Sequence, residues 1–458
     1  MMAERCLVAK LIVAWCLAAS SGLATAAALP RLTTTTHTLK NGLRVIQHHD
    51  PRIPYIAVNL ECHTGASDES RDERGLAHLF EHLMFEGSKH VGREQYFAEL
   101  EAAGATSVNG YTTFDHTNYH AVVPKNELSL ALWLESDRMG WFLPALSQDK
   151  LDEQLRVVKN ERLQRYDNRP YGIAEEKAWH ALFPPEHPYH GMVIGSMEDI
   201  DSLTLPKVRR FYQRAYAPNN FTLVLAGDLA VAGEHYDPNA VPRLVKRYFG
   251  GIKPMPLRPR QKIPRPTPAG EIRLLELERL GKLTKILVHY LTPALFAPGD
   301  AECDVAAHVL TGDRFARLSR ALMHEQQLAQ SVTSYQSSLT HMSVFSVEAL
   351  VLPGNDPQKV LGIIDEQIAR LVSQPPSTQE IRRATNSLHT RQLFALQRLN
   401  SRAQHMQIYD RQLGTPDGLA KDLARYHQVT PQGLAQTIQQ HLASDKRVVL
   451  IANAAREE

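Results

Sequence analysis

Residues 75–88 read GLAHLFEHLMFEGS, and both the fold and the chemistry of the chain turn on this stretch. Leu76, Leu79, Phe80 and Leu83 recur at i, i+3, i+4 and i+7, the spacing of an amphipathic helix. At about 100° per residue these four point one way, and His78, Glu81 and His82 point almost opposite. Gly87 is placed to stop the helix, while Asp68, Glu69 and Asp72 precede it near its positive end. Imidazoles at i and i+4 can reach one ion from a single helical face. Zinc favours imidazole nitrogen, and a catalytic zinc needs a third protein ligand plus an open position for water. Glu81, on the same face, is then placed to take a proton from that water. A solvated helix surface shows the same residue types, so a third ligand has to decide between the two readings.

The chain has 458 residues, a length suited to two or more domains. Its 43% hydrophobic and 22% charged content is that of a soluble globular protein. A net charge of only +2 gives no footprint for nucleic acid or an anionic membrane surface. Residues 1–26 differ from the remainder: Arg5 and Lys10 precede the apolar run LIVAWCLAASSGLA, and Ala24-Thr25-Ala26 follows. This is the pattern of a secretory signal, too short for a membrane span. Export to a bacterial periplasm and no stable membrane insertion are expected; an uncleaved signal anchor is the alternative. Removing Arg5, Lys10 and Glu4 leaves 49 basic and 48 acidic residues, a nearly neutral mature chain. Cys6 and Cys16 leave with the signal. Cys62 and Cys303 are read as buried free thiols or small core residues, although an exported chain is able to join them.

Along the chain, THTLKNGLRVIQHH (35–48) places a tight Asn41-Gly42 turn between extended runs. YIAVNLECHTG (55–65) is apolar enough for a buried strand. A helix follows around 93–103, then a β-hairpin over 105–123, helices near 126–140 and 147–166, and a strand in NNFTLVLAGDL. Between 250 and 270 the composition changes, with six prolines from Pro254 to Pro268, which reads as a stiff linker and domain boundary. The order then recurs: strand LTKILVHYLTP, helix DAECDVAAHVL, strand MSVFSVEALVLP, further helices, and a closing strand RVVLIANA. A repeated α+β unit accounts for this better than one continuous sheet. The second unit has no HLFEH, so duplication leaves one chemical half and one scaffold half.

Helix 147–166 contains LDEQLRVVKNERLQRYDNRPYG, in which Gln154, Val158 and Glu161 share a face with Leu151 and Leu155 adjacent. A glutamate on a mostly apolar face is costly without a partner. Zinc is one such partner; a bridge to the local arginines or lysines is the other. HxxEH, the inverse of the usual zinc-protease order, followed some 80 residues later by a glutamate in a VVxNE context, resembles the pitrilysin, insulinase and mitochondrial processing peptidase family. The resemblance covers nearly the whole mature chain, since HPYHGMVIGSMEDIDSLT and YAPNNFTLVLAGDL match the end of that family's N-terminal domain. It implies that His78, His82 and Glu161 bind one Zn2+ per chain and that Glu81 activates its water. The implied fold is α+β: two homologous sandwich-like domains of mixed sheet with helices, facing a central chamber. The expected boundaries are 1–26 signal, 27–250 metallopeptidase domain, 251–270 linker and 271–458 non-metal domain.

Asn109, in SVNGYTT, matches a position where the family presents a sheet edge to its substrate, so a peptide is expected to add there as a strand; a plain Asn-Gly turn is the alternative. His187 and His190 in EHPYH are read as polar loop residues, not metal ligands. Two departures from the family involve three positions. A glutamate that supports the ligands in many members, seven residues before the distal one, is replaced by Gln154, which can hydrogen-bond but brings no charge. The family's C-terminal domain carries Arg and Tyr in a run like LRxxxGLAY, and the matching LMHEQQLAQ puts Met323 and Gln330 there. The resemblance implies a metal-bearing subunit completed by a homologous partner that supplies Arg and Tyr; Tyr335 or His324 filling the gap locally is the alternative. The expected activity is zinc-dependent endopeptidase hydrolysis of peptides or unfolded segments. The competing class is a non-catalytic peptide-binding or assembly subunit with a structural or absent zinc.

Overall fold

In the first half, six strands form one sheet: β1 (Thr35–Thr38), β2 (Arg44–His49), β3 (Tyr55–Cys62), β4 (Thr106–Thr112), β5 (Thr117–Pro124) and β6 (Phe221–Gly227). Their spatial order is β1-β2-β6-β3-β5-β4, with β2 and β6 parallel and the other pairs antiparallel. The computed structural model describes residues 31–455 apart from 232, 234, 258–262, 264 and 267–269. The expected signal segment and much of the expected linker therefore lie outside the described residues.

The second half repeats the pattern with β7 (Ile272–Glu278), β8 (Thr284–Thr292), β9 (Ala329–Ser337), β10 (Ser343–Val351) and β11 (Arg447–Ala454), in the order β7-β11-β8-β10-β9. Set aside β1, and both sheets run first-fifth-second-fourth-third in chain order, with the first and fifth strands parallel in each. This is a mixed α/β architecture built twice. The edge strands β7 and β9 were not expected from sequence: IRLLELE mixes Leu with charged residues on both faces and sends Leu275 and Leu277 to the surface, and AQSVTSYQS is mostly polar, so neither stands out as a buried run.

Helices cover both faces of each sheet. On one face of the first sheet lie α1 (Leu76–Leu83), α2 (Gln95–Ala102), α3 (Leu128–Trp141) and α4 (Gln148–Arg162). Next in the chain is α5 (Gly172–Leu182), which crosses to the second sheet, where Ala174, Ala178 and Leu182 pack with Leu287, Leu291, Val448 and Leu450. In the second half, α6 (Asp300–Thr311) and α7 (Pro357–Ser373) pack on their own sheet. Further on, α8 (Leu399–Leu413) returns to the first sheet, setting Leu399, Ala403, Met406 and Tyr409 against Ile46, Ala57, Val224 and Ala226. Polar contacts fix that docking. Arg44 holds Asp410 by two hydrogen bonds of 2.6 Å, and Gln407 Nε2 donates to the Asn59 carbonyl at 3.0 Å. Each half thus lends a helix to the other, and the described residues from Leu32 onwards form one compact unit. Cys62 and Cys303 are both buried free thiols, and burial pushes both thiol pKa values up.

Met406 is fully buried in the exchanged helix, so Met406→Ala leaves a cavity and is expected to cost about 2–5 kcal/mol. Urea unfolding followed by both intrinsic fluorescence and far-UV circular dichroism should show one transition, moved to lower urea. Two separated transitions would contradict the mutual dependence of the halves.

Candidate metal centre

Helix α1 is anchored before it can present anything. Its N-cap, Gly75, sits at φ +82°, and a Cβ there would lie 2.7 Å from the Ile194 carbonyl oxygen, so the left-handed turn and the close approach both require glycine. Of the three acidic residues preceding the helix, Glu69 reaches it: its carboxylate accepts from the backbone N–H of Gly75 at 3.0 Å and of Ala77 at 2.5 Å. The helix ends at Leu83, four residues short of the expected Gly87, which instead forms a left-handed turn at φ +93°. Leu76, Leu79, Phe80 and Leu83 are fully buried. The Phe80 ring lies 4.5 Å from Tyr216 and 5.2 Å from Phe142, which fixes the rotation of the helix about its axis.

That rotation turns His78, Glu81 and His82 towards α4 and the β4 edge. The His78 side chain is 7% exposed and that of His82 21%. Helix α4 starts at Ser147, whose side chain accepts from the Lys150 N–H, and buries Leu151, Gln154 and Val158 along the face that meets α1. One turn beyond Val158 that face carries Glu161, 18% exposed. Its Oε2 lies 3.2 Å from His82 Nε2 and its Oε1 3.6 Å from His78 Nε2. Burial opposes ionisation of Glu161, but hydrogen bonds from the two imidazoles and the nearby Arg165 charge outweigh it, holding the carboxyl well below the usual carboxylate range.

The ligand atoms of His78, His82 and Glu161 all lie within 4.8 Å of one another, and among the described residues no other such group of His, Cys, Asp and Glu is found. His187 and His190 belong to no such group, as expected. Zinc bonds of about 2.0–2.2 Å to nitrogen and oxygen place tetrahedral ligand atoms roughly 3.3–3.5 Å apart. Each imidazole Nε2 has its own carboxylate oxygen near that separation, at 3.2 and 3.6 Å, and two imidazoles with one carboxylate are the donor types of a three-ligand zinc site.

Glu81 stands beside this group. Thr112 Oγ1 donates to its Oε2 at 2.7 Å, and a Cβ built on Gly110 would come within 3.1 Å of its Cγ and 3.2 Å of the Phe85 ring. Gly110 and Thr112 alternate on the face of β4 turned to α1; neither was singled out from sequence, although period-two alternation from one implies the other. Asn109 faces the other way, opposite His120, and its Oδ1 accepts from the Gly110 N–H at 2.8 Å. It lies on the edge strand of the sheet, just after an irregularity in register where Ser107 has φ +55°. A groove of about 680 Å³ runs beside that edge, between Asn109 and His120 on one wall and Arg398, Leu399 and Asn400 on the other.

Gln154 Nε2 donates to Glu86 Oε1 at 2.8 Å, so the amide's donor side is engaged with Glu86 and not with the imidazoles or Glu161. Met323 is half-buried against the second core, Gln330 is exposed on β9 and His324 is exposed. Tyr335 donates its hydroxyl to Glu348 at 2.6 Å. No cation stands at either position of the LRxxxGLAY-type run.

Comparison with known proteins agrees with this architecture. Residues 44–184 match the profile of Insulinase (Peptidase family M16), and residues 202–388 match that of the Peptidase M16 inactive domain. The zinc protease PqqE of Helicobacter pylori is 26% identical over 343 residues, covering 74% of this chain and 73% of that protein. The crystal structure of a protease from Helicobacter pylori superposes with a TM-score of 0.84 at 21% identity, covering 93% of this chain and all of that one. The periplasmic protease PqqL of Escherichia coli superposes with a TM-score of 0.74 at 20% identity, covering 94% of this chain and 48% of that one. With more than half its length matched by two domains of one family, the chain belongs to the M16 peptidases, the pitrilysin and insulinase family.

Proposed function

We propose that this chain is the metal-bearing subunit of a zinc-dependent endopeptidase that hydrolyses peptides or unfolded segments. The reading is carried by the meeting of His78, His82 and Glu161, with Glu81 one residue before the second histidine. In it those three side chains hold one zinc ion, and Gln154 acts at one remove, tying α4 through Glu86 to the segment that follows α1. A zinc ion held by these residues would supply a bound water of pKa about 7 and Lewis acidity towards a carbonyl. Glu81 accepts the proton of the attacking water and returns it to the leaving amine, with Thr112 fixing one of its oxygens and leaving the other to work. A substrate strand adds along the β4 edge beside Asn109, where backbone hydrogen bonds give affinity with little demand on sequence.

The same reading makes 27–250 the chemical half and 271–458 the scaffold, with residues 1–26 directing export to a periplasm. The PqqL relative is described as periplasmic, and among the described residues no helix is long and apolar enough to cross a membrane. Met323 and Gln330 leave the site without an Arg and a Tyr, which a homologous partner supplies in a heterodimer. That loss also favours the second reading, a non-catalytic peptide-binding or assembly subunit. Glu81 argues against it, because a structural zinc has a closed fourth position and no use for a general base.

Three outcomes check this. Glu81→Gln keeps an acceptor for Thr112, so zinc content by metal analysis should stay at one per chain while peptide cleavage by the co-purified complex falls by about 10²–10⁴; full activity would overturn the assignment. Gly110→Ala pushes on Glu81 and Phe85 by a few tenths of an ångström, and should lower kcat about tenfold with zinc content unchanged. The chain without its partner should cleave peptides about 10²–10³ more slowly than the complex; equal rates would remove the need for a partner.

A further inference from the structure

Three arginines follow one another on the segment that leaves the distal glutamate: Arg162, Arg165 and Arg169. Arg162 is buried, pairs with Glu176, donates to the Gly195 carbonyl at 2.7 Å and lies over the Tyr166 ring at 5.1 Å. Arg169 is paired with Glu175. Both are committed to carboxylates outside the metal group. Arg165 differs: among the described residues its ion pair is with Glu161, Nη2 to Oε1 at 3.0 Å, and its side chain is 67% exposed. The backbone that carries it runs on directly from α4 but changes its winding. Residues Leu163–Asp167 form a π-turn, and Gly172 closes the segment so tightly that a Cβ there would lie 2.2 Å from the Tyr166 carbonyl oxygen. With Arg162 buried at one end and Gly172 packed at the other, the π-turn holds the guanidinium at the solvent side of the three donors.

We propose that Arg165 is a substrate-contacting residue, supplying from this same chain a cation that holds a carbonyl oxygen of the bound peptide beside the metal donors. The inference rests on the peptidase reading above and deepens it. A guanidinium offers five N–H donors in a fixed fork; one is engaged by Glu161, and the 67% exposure of the side chain leaves others open to solvent beside the metal donors. Glu161 has two oxygens, one 3.2 Å from His82 and the other shared between His78 and Arg165. Once its charge is engaged by a metal cation, its attraction for Arg165 weakens, and the guanidinium can turn part of its fork to an incoming carbonyl without leaving its place. This cation stands in addition to the Arg and Tyr that a homologous partner supplies in the reading above. Met323 and Gln330 bring no cation from the second half, while Arg165 brings one to within contact of a metal donor.

The purely structural alternative is that Arg165 only steadies Glu161, and the two roles separate by binding measurements that need no turnover. In the zinc-loaded Glu81→Gln chain, titration with a fluorescein-labelled unfolded peptide followed by anisotropy reports substrate holding, and competition with a chromogenic chelator reports zinc affinity. Adding Arg165→Met should weaken peptide binding about ten- to a hundredfold, as loss of a charge-assisted hydrogen bond does, with zinc affinity changed less than threefold; Arg165→Lys should recover part of the binding. Unchanged peptide affinity, or a loss wholly explained by weaker zinc binding, would overturn the proposal. Failure of the peptidase reading is a separate result, seen as full cleavage activity in Glu81→Gln alone.

Discussion

A carboxylate that is mostly buried between two imidazoles is an arrangement that a folded chain does not keep by accident. Glu161 lies with one oxygen near each Nε2, and Arg165, 67% exposed, pairs with it at 3.0 Å. Burial of a carboxylate is costly without partners, and here the two imidazoles and the Arg165 guanidinium supply them. A divalent ion held by the same three side chains would compensate the charge more fully. What the fold must do is bring α4 across α1 in one rotation and one register, and most of the first core is arranged to that end. Gly75 and Glu69 fix where α1 begins, the aromatic group around Phe80 fixes how it is turned, and Ser147, Leu151 and Val158 set α4 against it.

The duplicated topology explains why only one half carries chemistry. Both sheets have the same five-strand order, and each offers an edge strand, β4 or β9, on the same side of its repeat. In the first half the helix after the second strand carries the histidines; in the second half the equivalent helix, α6, is filled with Ala301, Val305, Ala306 and Leu310 and serves as core. The halves nevertheless depend on one another. Helix α5 caps the second sheet and α8 caps the first, so each sheet is buried on two faces only because the other half is present.

Much of this was legible from sequence where one residue pattern had one physical explanation. The central strands β3, β6, β8, β10 and β11 are continuous apolar runs bounded by turns, and they form where those runs lie. Glu161 stood out because an apolar helical face does not tolerate an unpaired carboxylate. The edge strands β7 and β9 did not stand out, since half their residues face water and their pairing is decided by neighbours far along the chain. The exchange of α5 and α8 was invisible for a related reason: an amphipathic helix shows that it buries a face, not which sheet it buries it against. Gln154 was expected beside the ligands; its donor nitrogen instead meets Glu86, a partner that no spacing rule connects to position 154. Arg165 lies four residues beyond Glu161, but a helical i, i+4 pair is so common that only the π-turn and the exposure of its guanidinium set it apart.

X-ray absorption at the zinc edge, on protein loaded with one equivalent of metal, tests the central claim most directly. The account predicts two imidazole nitrogens and a carboxylate oxygen at about 2.0–2.2 Å, with the oxygen shell reduced and affinity lowered when Glu161 is changed to alanine. An unaltered coordination shell and unaltered affinity in Glu161→Ala would contradict it.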